Sequence, residues 1–150
     1  MGATVEGLVA AARSRIRHLT PAEVEAELLA RTSVLVDVRE HAELDEHGWI
    51  AGALHVPRGL LEFRADPASP MHVPELDPAR RTIVYDAAGR RSALAVETLA
   101  RLGYRTAAHH EGGITAWKQA GLPVVGLASW HQHLGPPTVG GPAPGVDLPS

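Results

Sequence analysis

The residues best suited by type and spacing to do chemistry lie in the run TIVYDAAGRRS, residues 82 to 92. Four β-prone residues lead into Asp86. Ala87, Ala88 and Gly89 follow, then Arg90 and Arg91, then a stretch with helical periodicity. Small residues let a backbone curl until successive N–H groups point inward, making an anion nest. A helix starting directly afterwards adds its positive N-terminal end, and the two arginines add fixed charge. This arrangement suits the cradling of an oxyanion, yet a carboxylate stands at its mouth. An ordinary strand-to-helix turn fits the same residues, with Asp86 capping the helix and both arginines solvated.

Composition narrows the chemistry. The chain has no cysteine, which excludes disulfides, thiolate catalysis and Cys-ligated zinc. A net charge of −3, with no interleaving of basic and aromatic residues, gives no case for nucleic acid. No apolar run approaches the roughly 20 residues that span a bilayer. The early GLVAAA is followed by its arginines, the reverse of a secretory signal, so a soluble cytoplasmic protein is expected. At 150 residues and 45% hydrophobic, the chain has material for a single core, built from aliphatic side chains because aromatics are scarce.

The loop must be held by the elements around it. Val5, Leu8, Val9, Ala12 and Ile16 have helical spacing, predicting a helix over 4–17 in an N-terminal extension, residues 1–19. Thr20, Pro21 and Glu23 then form a helix-start signal with a capping box. SVLVDVR (33–39) reads as a buried strand, EHAELDEH as a short polar helix or turn, and GALHVP as a strand stopped by Pro57. RGLLEFRADP predicts a helix, and the four-proline run from 65 to 80 an irregular connection. TIVYD is the next strand, RSALAVETLARLG a helix capped by Gly103, RTAAHH a last strand and GGITAWKQAG a last helix. Strands alternating with helices predict an α/β fold, a parallel sheet covered on both faces. Residues 126–150 are rich in Pro and Gly and nearly uncharged, and are expected to be disordered.

Four segments together resemble the rhodanese-like domain family: VLVDVRE, GWIAGALHVP, TIVYDAAGRRSALAVETLARLGY and EGGITAWKQAGLPV, in that order and spacing. The resemblance covers roughly residues 20 to 125, and VPRGLLEFRADPASP is similar to single-domain bacterial members. It implies about five parallel strands flanked by helices, and an active-site loop corresponding to Asp86, Ala87, Ala88, Gly89, Arg90 and Arg91. It also implies a cysteine at the loop's first position, which takes sulfane sulfur from a donor such as thiosulfate and passes it on as a persulfide. This chain has Asp86 there. A carboxylate oxygen is hard, weakly nucleophilic and repels an anionic donor, so persulfide relay is closed. Asp86 is expected instead to accept N–H bonds from Ala88, Gly89 or Arg90 and plug its own nest. A phosphatase-like aspartyl nucleophile is the sharper alternative, but it needs a divalent cation and a second acid that the loop does not offer.

Other candidates are assigned structural parts. Asp37 and Arg39, in DVRE, match family positions that hold the loops together. Trp49 stands where relatives often carry His, and Trp117 is read as a core anchor. His109 and His110, at a strand end, and His131 and His133 are read as exposed polar residues, neither pair having a third metal ligand at a recognisable distance. No metal and no cofactor is expected; the partner is an unspecified protein or small anion. Two functions follow. One is a binding or regulatory module without sulfurtransferase activity. The other is a sulfurtransferase-type enzyme whose active parent has cysteine at position 86, the aspartate being natural loss or an engineered substitution.

Overall fold

The computed structural model describes residues 2–126. Among them, six α-helices and five strands form a three-layer α/β fold. In chain order these are α1 (Val5–Arg13), β1 (Arg17–Leu19), α2 (Pro21–Ala30), β2 (Ser33–Asp37), α3 (His41–His47) and β3 (Leu54–His55). A 3-10 turn at Arg58–Leu60 leads into α4 (Leu61–Ala65); then come β4 (Arg81–Tyr85), α5 (Arg90–Arg101), β5 (Ala108–His110) and α6 (Gly113–Gln119). The strands are all parallel, in the order β1-β5-β4-β2-β3. The Pro/Gly-rich tail from 127, with His131 and His133, lies outside the described residues.

The continuous apolar character of the central strands has a direct cause. Successive side chains point to opposite faces, and helices cover both. On β2 and β4, Val36 and Val84 enter one core with Leu61, Val96, Leu99 and Tyr104. Leu35, Ile83 and Tyr85 enter the other with Val24, Ile114 and Trp117. The Trp117 indole N–H also donates to the Pro123 carbonyl at 2.8 Å, so the ring anchors the chain leaving α6. At α2 the capping box forms as expected: Thr20 Oγ1 accepts from the Glu23 N–H and Glu23 Oε1 from the Thr20 N–H.

The N-terminal segment departs from expectation. Its helix stops at Arg13 rather than running to 17, and residues 17–19 become an edge strand paired with β5. Ile16, which extended the helical spacing, packs from the turn against the core instead. The segment assigned to an extension therefore supplies part of the sheet, while α1 lies against α5. Helix α5 ends with Leu102 as its cap, and Gly103, at φ 93°, takes the next, left-handed position.

Candidate active-site loop

Asp86 follows the last residue of β4, at the carboxyl edge of the sheet, where parallel α/β folds place their ligands. It is 1% exposed. Gly89 turns the chain at φ 105° and is the N-cap of α5. A Cβ there would meet His109 Cε1 at 3.0 Å, so the turn is packed as well as left-handed. Below the loop, α6 holds two of its carbonyls: the Ile114 N–H donates to Asp86 O (2.9 Å) and the Thr115 N–H to Ala87 O (3.1 Å).

The carboxylate fills the ring of donors around it. Oδ1 accepts from the Gly89 N–H at 2.5 Å and from the Ser92 hydroxyl at 3.3 Å; Oδ2 accepts from the N–H groups of Arg91 (2.7 Å) and Ser92 (3.3 Å). Of the expected donors, only Gly89 is used. Ala88 and Arg90 give way to Arg91 and Ser92, because α5 begins at Arg90 and its free first-turn amides lie one place further along.

Arg90 turns its charge away from the nest, while Arg91 borders it. Arg90 pairs outward with Glu6 of α1. Arg91 makes a bidentate pair with Glu43 of α3, at 2.7 and 2.8 Å, and its Nε stays 3.6 Å from Asp86 Oδ2. That guanidinium holds the Glu43 carboxyl down at about 2, burial opposing it. Glu43 and Ser92 carry no motif that marks them in the sequence. The one signal for Ser92 is its position in the first turn of a helix whose N-terminus faces the loop.

Asp37 and Arg39 form a buried ion pair at the neighbouring strand end, 2.8 Å between Arg39 Nη2 and Asp37 Oδ2. Arg39 Nη2 also donates to the Gly48 carbonyl (2.7 Å), and its guanidinium carbon lies 5.7 Å from the Tyr85 ring centre. The Tyr85 hydroxyl accepts from the Ile50 N–H at 3.1 Å, and burial pushes its pKa well up. These contacts tie the end of β2 and the segment after α3 to β4. Trp49 is buried there and exchanges two 2.8 Å backbone hydrogen bonds with Val125, locking the chain after α6.

His109 and His110 are not exposed polar residues. Both are fully buried, because β5 lies between β1 and β4 and not at an edge. His109 Nδ1 lies 2.8 Å from Ser92 Oγ, which connects it through that hydroxyl to Asp86. His110 packs edge-on against Tyr85 and Trp117 with both ring nitrogens unpartnered among the described residues. Burial lowers each imidazole to about 4.

Residues 20–120 match the sequence profile of the rhodanese-like domain. The chain belongs to this family. A sulfurtransferase of Allochromatium vinosum is 35% identical over 92 residues, covering 61% of this chain and 78% of that protein. An uncharacterized protein of Synechocystis is 38% identical over 93 residues, so the match spans 46% of that relative's length. Among solved structures, a Rhodopseudomonas palustris protein of unknown function, described as a possible tyrosine phosphatase, superposes with a TM-score of 0.79. It is 36% identical, with 83% of this chain and 96% of that one covered. A thiosulfate sulfurtransferase from Pseudomonas aeruginosa superposes at 0.66 and 28% identity, covering 81% of this chain but 22% of that one. This rhodanese-like domain has no cysteine.

Two consequences of the loop's geometry are measurable. Asp86→Ala removes the acceptor from three backbone N–H groups at a buried site, and a loss of about 2 kcal/mol is expected in denaturant unfolding. An unchanged unfolding midpoint would contradict the internal plug. The Glu43–Arg91 pair gives a pH dependence. Glu43 is lowered to about 2 in the fold, so its contribution is complete above its unfolded value of 4.5 and fades as the pH falls towards 2. Arg91 is partly exposed, so solvent screening limits the effect to about 1 kcal/mol. The melting temperatures of the unaltered domain and Glu43→Gln should differ at pH 6 and converge near pH 2. A gap constant across that range would rule the linkage out.

Proposed function

We propose that this rhodanese-like domain does not transfer sulfur and acts as a binding or regulatory module. One observation carries the reading: the Asp86 carboxylate sits inside the loop's own ring of amides, with both oxygens engaged. Sulfur transfer in the family needs a thiolate to attack the outer sulfur of thiosulfate, releasing sulfite and leaving a persulfide. No thiol exists here to form that bond. The carboxylate brings negative charge to the place where an anionic donor would have to dock, and Arg90 and Arg91 are committed to Glu6 and Glu43.

The Rhodopseudomonas relative, as a possible tyrosine phosphatase, raises phosphoryl chemistry. Asp86 is poorly suited to it, being 1% exposed with both oxygens hydrogen-bonded rather than free to attack phosphorus. The second reading, a sulfurtransferase scaffold whose parent has cysteine at position 86, draws support from donors that still aim at that position.

Incubation of the unaltered domain with thiosulfate and cyanide tests the proposal. No thiocyanate above the protein-free rate and no gain of a sulfur atom in the intact mass are expected. Thiocyanate formed in proportion to protein concentration would overturn it.

A further inference from the structure

We propose that His18 Nδ1, His109 Nε2 and the Glu111 carboxylate form a binding site for a transition-metal dication of the zinc type, with the Arg13 guanidinium as its built-in competitor. The three donors lie within 4.8 Å of one another at the carboxyl end of β1 and β5. Parallel pairing in register puts His18 directly beside His109, their rings edge to face with centroids 5.0 Å apart.

The partners of each ring decide which nitrogen is free. His18 Nε2 lies 2.8 Å from the Arg13 carbonyl. A carbonyl only accepts, so Nε2 carries a proton, and the neutral ring keeps its lone pair on Nδ1. His109 Nδ1 faces Ser92 Oγ, whose single proton goes to the acceptor-only carboxylate of Asp86. The ring must therefore donate from Nδ1, which leaves the Nε2 lone pair free. Metal-bound histidines are oriented in this way, with the second nitrogen donating to a fixed acceptor.

Both lone pairs converge on Glu111. His18 Nδ1 lies 2.9 Å from Oε2 but off the line of a hydrogen bond, without a hydrogen-bond partner among the described residues. His109 Nε2 lies 3.7 Å from the same oxygen. Bonds of the usual zinc length set ligand separations of about 3.4 Å in a tetrahedron, between these two distances. Two imidazoles and one carboxylate favour zinc, cobalt or nickel over magnesium or calcium.

Arg13 at present supplies the positive charge. Its nitrogens lie 3.0 and 2.8 Å from the two Glu111 oxygens, and Nη1 lies 3.4 Å from His109 Nε2. The Arg13 side chain is 39% exposed, so it can swing into solvent and cede the three groups. Bound metal would then meet Asp86 through His109 and Ser92, coupling this edge of the sheet to the loop.

Cobalt(II) titration of the full chain, followed by visible absorption and equilibrium dialysis, tests the site. One equivalent should bind with the intense bands of four- or five-coordinate cobalt. His18→Asn and the isosteric Glu111→Gln should each weaken binding at least about tenfold. Arg13→Ala should strengthen it, and a His131→Asn, His133→Asn double variant should leave it unchanged. Circular dichroism confirms that each variant is folded. Absence of stoichiometric cobalt in both the unaltered chain and Arg13→Ala overturns the proposal. So does binding that survives Glu111→Gln and His18→Asn, or that disappears with the tail histidines.

Discussion

Asp86→Cys is expected to show thiosulfate:cyanide transfer at least about 100-fold above that of the unaltered chain, the scale on which preorganised donors act. The argument rests on where atoms would sit. A cysteine sulfur takes roughly the place of the Asp86 carboxyl carbon. The space now held by the two oxygens then opens beside the N–H groups of Gly89, Arg91 and Ser92, 2.5 to 3.3 Å from those oxygens. An outer sulfane sulfur can occupy it, stabilised by those amides, by the Ser92 hydroxyl and by the first turn of α5. The same donors should bring the thiol below its ordinary value of about 8.5, which the pH dependence of alkylation by iodoacetamide reads directly. Thiocyanate formation by this variant would mean that the chain lacks only its nucleophile. A folded variant with an ordinary thiol and no turnover would show that the pocket has been redirected. Neither result depends on the unaltered domain being silent, which is tested separately.

The features legible beforehand were those written in local chemistry. Thr20 and Glu23 cap α2 because both partners of the box lie within four residues. The runs SVLVDVR (33–39) and TIVYD (82–86) supplied the central strands β2 and β4, whose apolar residues are buried on both faces of the sheet. The nest was legible too, since small residues and a helix start sit together in the chain. What escaped depended on distant partners. Helical spacing through Ile16 concealed a three-residue edge strand held by its pairing with β5 and by Leu19 in the core. Two arginines in sequence looked like pocket charge, but successive helix positions diverge by about 100°. Acids on α1 and α3, which no loop motif contains, pair with each of them. His18 and His109 are 91 residues apart, so nothing in the sequence marks them as neighbours across a strand pair.

Gly113→Ala should be the most damaging single-methyl change in the loop's surroundings, with a loss of about 4 kcal/mol or more. Two effects combine. Gly113 has φ 60°, a conformation costing an alanine about 1–2 kcal/mol. The added Cβ would also lie 2.4 Å from Asp86 O, 2.6 Å from Ala87 C and 2.7 Å from Ala87 O. These are backbone atoms that cannot rotate away, so α6 or the loop must shift. Gly52→Ala separates the two effects. Its φ is 84°, yet nothing lies within 4 Å of the methyl group that alanine would add, so only the conformational cost applies. Urea unfolding of both variants should give Gly113→Ala the larger loss by at least about 2 kcal/mol. Equal losses would mean that loop and helix are not in rigid contact. The difference also reaches the site. Displacing α6 breaks the Ile114 N–H bond to Asp86 O and the Thr115 N–H bond to Ala87 O, which set the height of the loop against the start of α5. In the Asp86→Cys background, the same alanine should therefore abolish sulfur transfer under conditions where the domain remains folded, because the amides would no longer surround the sulfur.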